Sequence, residues 1–465
     1  MNDQARAPRG AAPDVLVVGG GVIGLAVAWR AALAGMAVTV VDAAPGGGAS
    51  WAAAGMLAPV TEVHYGEEAL LRLNLAAARR WPGFAGELED ASGSPIGYRR
   101  CGTLTVARDG DDLAAVEDLY RFQSELGLEV ERLRSRECRQ VEPGLAPSVR
   151  GGVLAAGDHQ VDNRALVGSL LAAAGRAGVE VRRARVESLV TAGDRARGVA
   201  LEGGEVLEAG AVVLAAGCWS GSLRGVPPPA LPPVRPVKGQ LLHLRGSREA
   251  PLCQHNVRGL DVYVVPRADG RVVIGATVED QGFDTTVTAG AVYELLRDAV
   301  ELLPDVSELE LTETVAGLRP GSPDNAPLLG PSGLDGLVVA TGHYRNGILL
   351  APVTGDAVAE LLAGGPVPEL IAPFSPARFD QQPATGAVAG AARGGSGPAV
   401  SGPAGDVTAG DALAGGALAG DVVAGDVVAG DVVAGDVVAG GAAMAGGAPA
   451  GGAAMAGGAR WRSTA

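Results

Sequence analysis

No stretch of this 465-residue chain comes near the roughly 20 consecutive apolar residues that a helix needs to span a bilayer. That argues against a membrane protein. Cysteine is scarce: Cys101, Cys138, Cys218 and Cys253 are scattered, and no two form a Cys-x-x-Cys pair. Neither a disulfide framework nor a metal site is expected, and reduced thiols in a cytoplasmic protein are the better reading. A Lys/Arg run is also missing, and the formal charge is −15. A net-acidic surface of this kind argues against nucleic acid or an anionic membrane as the main partner. The apolar run near the amino terminus is broken by three consecutive glycines and preceded by Asp14. It therefore reads as a buried strand rather than a signal peptide.

What is present is unevenly spread. From about Gln381 onward almost nothing but Gly, Ala, Val, Pro, Ser and Asp remains, and Asp421, Asp426, Asp431 and Asp436 recur every five residues as Asp-Val-Val-Ala-Gly. That spacing matches neither the helical nor the strand period, so no apolar face forms. Residues 381–465 read as a disordered low-complexity tail, and residues 1–13 as a disordered leader. The intervening chain is long enough for two domains.

The most informative stretch is Asp14-Val-Leu-Val-Val-Gly-Gly-Gly-Val-Ile-Gly24, followed by Val38-Thr-Val-Val-Asp42. It reads as strand, glycine turn, helix and a second strand ending in an acid. Gly19 allows the tight turn, Gly21 lets backbone N–H groups approach a pyrophosphate, and Gly24 lets helix and strand pack closely. Asp42 lies where a carboxylate can accept hydrogen bonds from an adenosine ribose. Dinucleotide binding follows, without a choice between NAD and FAD.

Helical patterns are expected at Glu67–Leu88, Asp111–Leu126 and Ala289–Leu303, within Asp158–Val181, and from about Gly347. Strands are expected at Cys101–Ala107, Gly239–Leu244, Asp261–Pro266, Arg271–Ala276 and Gly336–Thr341, with alternating strands over Glu187–Leu214. Nucleotide-binding signals thus occur at the start, middle and end of the chain. The expectation is an α/β fold in which a discontinuous, Rossmann-like doubly wound domain (14–90, 151–224 and 320–376) carries an inserted α+β antiparallel-sheet domain (91–150 and 225–319).

Three further segments narrow the chemistry. Trp51-Ala-Ala-Ala-Gly-Met56 has little side-chain bulk and can lie flat against a large planar ring. Val212-Val-Leu-Ala-Ala-Gly-Cys-Trp-Ser220 ends a strand in small residues, and Gly342-His-Tyr-Arg-Asn-Gly-Ile-Leu-Leu-Ala-Pro352 is a glycine turn opening a helix whose N–H groups can stabilise negative charge.

With Ala52-Ala-Ala-Gly-Met-Leu57, Tyr263-Val-Val-Pro-Arg267 and Ala316-Gly-Leu-Arg-Pro-Gly321, these segments resemble the D-amino acid oxidase family of FAD enzymes over about Asp14–Phe379. Within it they resemble the glycine-oxidising branch linked to thiamine thiazole synthesis. The resemblance implies non-covalent FAD, because no Cys lies between Thr312 and Leu350, where covalent sarcosine oxidases attach it. It implies that Val22 and Ile23 meet the diphosphate by backbone beside Gly19, Gly21 and Gly24. Asp42, with Ala43, would hold the ribose. Ala49, Ser50, Ala54, Gly55 and Met56 would line the flavin, and Val186 would cradle the adenine. His343, Tyr344, Arg345, Asn346, Gly347, Ile348 and Leu349 would set a helix amino end at the flavin edge.

For the substrate, the resemblance implies that Arg319 pairs with an amino acid carboxylate, Tyr263 donates to the same carboxylate, and the Arg345 carbonyl meets the amine. Glu62 matches a loop acid near the cavity entrance. Arg319 could instead be a surface arginine and Tyr263 a core tyrosine; His343 more simply shapes its turn. Val278 and Asp261 stand where the branch has Met and His, which leaves strict glycine preference open.

The implied reaction is oxidative deamination of glycine or another small amine acid. Hydride passes from Cα to flavin N5, oxygen becomes hydrogen peroxide, and the imine hydrolyses to oxo acid and ammonia. Alternatives are a D-amino acid oxidase or dehydrogenase, a sarcosine-type oxidase, or a non-catalytic dinucleotide-binding protein. The relatives are commonly homotetramers.

Overall fold

The Val15–Val18 strand is buried at every residue, as befits a central parallel strand covered on both faces. It pairs in parallel with Val38–Asp42 on one side and Ala211–Leu214 on the other. This computed structural model describes residues 12–379; the repeat tail and most of the leader lie outside the described residues. The sheet has six strands in the order Leu328–Pro331, Leu337–Thr341, Ala211–Leu214, Val15–Val18, Val38–Asp42 and Glu180–Arg183, parallel except for the first pair. Because the chain leaves Val15–Val18 toward neighbours on both sides, a crevice opens at that strand's carboxyl end.

Four helices, Val22–Leu33, Glu68–Ser92, Asn163–Arg176 and Gly347–Leu362, cover one face around Leu25, Trp29, Leu73, Phe84, Leu166 and Leu350. Trp29 and Trp81 both meet Phe84 edge-on, with ring centroids 5.6 and 5.5 Å away. Trp81 also donates its indole N–H to the Leu349 carbonyl at 2.8 Å, which ties the long helix to the first turn of Gly347–Leu362.

The opposite face presents Leu16, Val18, Val41, Val212 and Leu214. A doubly wound arrangement would cover it with helices. Here the antiparallel strands Val186–Ala192, Arg195–Leu201 and Val206–Glu208 do so. Period-two alternation over this stretch favours a meander.

The second sheet has eight strands in the order Glu310–Gly321, Arg235–Arg245, Arg271–Gly275, Tyr263–Pro266, Asn256–Arg258, Thr103–Ala107, Gly151–Ala155 and Glu131–Arg134. Asn256–Arg258 runs parallel to Thr103–Ala107 and joins material from the two expected insertions. Helix Ala289–Leu302 packs Leu295, Ala299 and Leu302 against the Leu242, Val264, Val272 and Ile274 side of this sheet.

Two expected boundaries are corrected. Gly151–Ala155 pairs with Thr103–Ala107 and Glu131–Arg134, so the chain returns to the six-stranded sheet only after it, not at residue 151. Glu310–Gly321 runs unbroken through Arg319 and Pro320, across the expected division at 319/320. This strand lies at the sheet edge, where proline is tolerated, and its Glu, Thr and Gly residues hide the usual alternation. Among the described residues no helix is long and apolar enough to cross a membrane.

Candidate active site

The carboxyl end of Val15–Val18 opens into a cavity of about 1340 Å³ that reaches the inner residues of the eight-stranded sheet. Of the residues expected at the site, Gly19, Gly21, Val22, Ile23, Asp42, Ala43, Ala49, Ser50, Ala54, Gly55, Met56, Val186, Tyr263, Arg319, His343, Tyr344, Arg345, Asn346, Gly347 and Ile348 line it, as do Glu62, Asp261 and Val278. Gly24 and Leu349 do not. Leu349 is 1% exposed and belongs to the core, while Gly24 acts by having no side chain.

The glycines of the first turn are required by space. Gly19 has φ +107°, and a Cβ there would stand 2.4 Å from the Ala215 carbonyl oxygen. A Cβ on Gly24 would stand 1.9 Å from the Gly19 carbonyl oxygen. Helix Val22–Leu33 has no side-chain cap from Gly21; instead Ser50 Oγ accepts the Val22 N–H at 3.0 Å. Val22 and Ser50, expected at the diphosphate and at the ring respectively, are thus bonded to each other. Asp42 accepts the N–H groups of Gly20 at 2.6 Å and Ala44 at 2.7 Å, one on each carboxylate oxygen. Each oxygen keeps a lone pair for a ribose hydroxyl.

At the other end of the cavity, strand register sets the charged groups. Tyr263 pairs with Gly275 on one neighbouring strand and Arg258 on the other, while Arg319 pairs with Val237. The missing side chain of Gly275 leaves room for the Tyr263 ring, and that of Gly239 leaves room for the Arg319 guanidinium. Arg319 Nη1 donates to the carbonyls of Thr277 at 3.0 Å and Lys238 at 3.3 Å. Among the described residues it has no carboxylate partner. Burial pushes the Tyr263 phenol above its ordinary pKa, although Arg319 beside it works the other way, so the hydroxyl is a proton donor at neutral pH.

Three contributors, Arg258, Glu67 and Arg267, carry no role expected from the sequence. Arg258 Nη1 donates to Glu62 Oε1 at 2.7 Å, and Arg345 lies 3.1 Å from Glu62 and 3.2 Å from Glu67. Arg345 was expected to act through its carbonyl; its side chain joins this ion cluster as well. Arg267 is buried and donates to the carbonyls of Ala54 at 2.6 Å and Val161 at 2.9 Å, which fixes the Ala54–Gly55 segment. Burial pulls its guanidinium down to about 10. His343 is buried, with Nε2 3.1 Å from Thr354 Oγ1, and burial pulls it down to about 3, so it is a neutral brace between the turn and its helix.

These residues fit FAD. The cradle at Gly19 and Gly24 admits no side chain, and Asp42 faces the cavity beside it. The small residues Ala49, Ala54 and Gly55 line the cavity. Helix Gly347–Leu362 begins without a side-chain cap from Asn346, leaving its amino end to a ligand's negative charge.

A glycine cradle leading to a deep cavity, with a guanidinium that has no carboxylate partner among the described residues, defines a dinucleotide-binding protein with a place for an anionic ligand. The family described as DAO, FAD dependent oxidoreductase, matches residues 14–361, and the chain belongs to it. FAD is its cofactor. The chain is 37% identical to the bifunctional protein ThiO/ThiG of Trichormus variabilis over 80% of its own length, but spans only 56% of that longer protein. It is 36% identical to the glycine oxidase of Pseudomonas aeruginosa, covering 78% of this chain and 98% of that enzyme. The crystal structure of glycine oxidase from Geobacillus kaustophilus superimposes with a TM-score of 0.72 at 35% identity, over 78% of this chain and 98% of that one.

Proposed function

We propose that this chain is an oxidase that deaminates glycine or another small amine acid and feeds thiamine thiazole synthesis. The observation that carries the reading is Arg319, a guanidinium on the cavity wall that donates to two carbonyls, has no carboxylate partner among the described residues, and adjoins a protonated tyrosine. An arginine without a carboxylate partner in such a wall suits a ligand carboxylate, and its planar fork suits both oxygens. The glycine oxidases among its relatives support the substrate class.

FAD, when bound, supplies a two-electron acceptor that dioxygen can reoxidise. The chain itself supplies position. Arg319 and Tyr263 hold the carboxylate, and with it the Cα, in one orientation, an effect worth several kcal/mol. Gly19, Gly21, Ile23 and Asp42 would hold the nucleotide half, and Ala49, Ala54, Gly55 and the amino end of Gly347–Leu362 the ring. Tyr263 remains protonated and serves as a donor, not a base. Val278, which is 68% exposed, borders the pocket at a position that bears on substrate size.

A peroxide assay over glycine, sarcosine and D-alanine tests the reading. Arg319→Ala is expected to raise KM by roughly 10- to 100-fold, the value of a charge-assisted hydrogen bond, while the protein stays yellow. Equal KM in that variant would remove the carboxylate role. Failure of all three substrates to bleach the flavin under anaerobic conditions would favour a protein that only binds the dinucleotide.

A further inference from the structure

At the substrate end of the cavity, Arg319 is not the sole guanidinium. Arg258 and Arg345 also line it, and both are engaged by one carboxylate. Glu62 Oε1 accepts from Arg258 Nη1 at 2.7 Å, and Glu62 Oε2 lies 3.1 Å from Arg345 Nε. The Glu62 side chain is 16% exposed, so the charge sits within the wall and not on the surface. The two arginines hold it ionised against burial, which works the other way. Arg345 has a second carboxylate, Glu67, at 3.2 Å, whereas Arg258 otherwise has, among the described residues, only the Thr61 carbonyl at 3.1 Å. Asp261 and Asp298 border the same cavity, but both face Arg108.

The strand register links this cluster to the substrate groups. Arg258 is the direct cross-strand partner of Tyr263, and Tyr263 adjoins Arg319. Arg258 thus stands beside the anchoring pair, where it could meet a second carboxylate of an amine acid held on Arg319 and Tyr263. The protein's own carboxylate already fills that place. An incoming anion would have to expel Glu62 from a partly buried ion cluster and leave it unpaired, which is a strong discriminating element.

We propose that Glu62 determines specificity: its carboxylate occupies a second anion subsite built by Arg258 and Arg345, so that the site accepts amine acids with one carboxylate and turns away those with two. The inference rests on the proposed role of Arg319 and deepens it.

The test uses ligands that cannot be oxidised, so that binding is read without turnover. Methoxyacetate carries one carboxylate and diglycolate two, each with an ether oxygen in place of the amine. Dissociation constants come from perturbation of the flavin absorbance of the holoenzyme. Wild-type protein is expected to favour methoxyacetate. Glu62→Ala should shift the ratio of the two constants toward diglycolate by at least about 10-fold, the value of a new charge-assisted contact. Glu62→Gln keeps the shape without the charge and should shift it in the same direction by less. Adding Arg258→Ala to Glu62→Ala should abolish the gain. Retained flavin colour reports that each variant has folded. An unmoved ratio in both Glu62 variants overturns the proposal, as does a gain that survives loss of Arg258. Failure of wild-type protein to bind methoxyacetate at all would overturn the Arg319 reading too. Binding of methoxyacetate with no gain in the Glu62 variants would leave that reading standing.

Discussion

The guanidinium of Arg319 lies over Gly239, so closely that a Cβ at residue 239 would stand 2.3 Å from Arg319 Nη1. Neither residue predicts the other from sequence, since they sit on adjacent strands with Gly239 opposite Gly317. Because the contact is with the far end of a flexible side chain, Gly239→Ala should fold. It should nonetheless move the guanidinium off the carbonyls of Thr277 and Lys238. The expected result is a protein that keeps its FAD and its thermal midpoint to within a few degrees, with KM for glycine raised about 10-fold or more. A normal KM would mean that Arg319 does not need this position.

Gly24 makes the opposite kind of contact. The methyl of Gly24→Ala would meet the Gly19 carbonyl oxygen at 1.9 Å, and backbone in a tight turn cannot step aside. Crowding of this kind costs about 3 kcal/mol or more and distorts the turn on which the dinucleotide would rest. The purified variant is expected to be colourless and to stay so after incubation with excess FAD. Recovery of a yellow protein with normal affinity would show that the cradle tolerates a side chain.

These two glycines mark the limits of what could be read in advance. The Asp14–Asp42 unit was legible because its constraints are local: a turn, a helix start and an acid within one short segment. The small-residue wall at Ala52–Gly55 was legible for the same reason, and the match at Arg319 and Tyr263 came from resemblance. The ion cluster was not. Glu62 and Arg258 are 196 residues apart, and Arg345 and Glu67 are 278 apart, so only the folded sheet brings them together. Arg267 was quoted as part of a motif, but nothing local indicates that its buried guanidinium holds the Ala54 carbonyl. The edge strand Glu310–Gly321 escaped because half of its residues are the wrong types for an alternating pattern.

Acid stability should reveal two buried groups with opposite signs. Burial pulls His343 from 6.5 down to about 3, so below about pH 6.5 the unfolded chain binds a proton that the folded chain refuses. Stability therefore falls as the pH falls, by about 2 kcal/mol at pH 5. Burial pushes Asp158 from 3.8 up to about 6, despite hydrogen bonds from Val60 and Thr61. Between those values the folded chain binds the extra proton, so stability rises as the pH falls, by about 1 kcal/mol at pH 5. In the wild-type protein the gain at Asp158 offsets only part of the loss at His343. Urea midpoints from pH 4.5 to 7.5, at saturating FAD, should show a shallower acid-side loss in His343→Gln and a steeper one in Asp158→Asn. Profiles parallel to wild type in both variants would mean that neither group titrates as its burial demands.

Cys218 bears on how the cofactor is held. It is the cysteine that lines the cavity, beside Ala215 and Ala216 at the end of a central strand. Its side chain is buried, and burial pushes the thiol up to about 12. Attachment of a flavin to cysteine requires a nucleophilic thiolate, which is present only in trace at neutral pH when the thiol is held so high. The other three cysteines are not among the cavity residues, and no cysteine lies between Thr312 and Leu350. FAD should therefore be retained by the cradle, Asp42 and the helix ends alone. Acid precipitation is expected to leave a white pellet and a yellow supernatant whose flavin matches free FAD. Cys218→Ser should release it in the same way. A yellow pellet from wild-type protein that turns white in Cys218→Ser would show that the Cys218 sulfur is bonded to the flavin as a thioether.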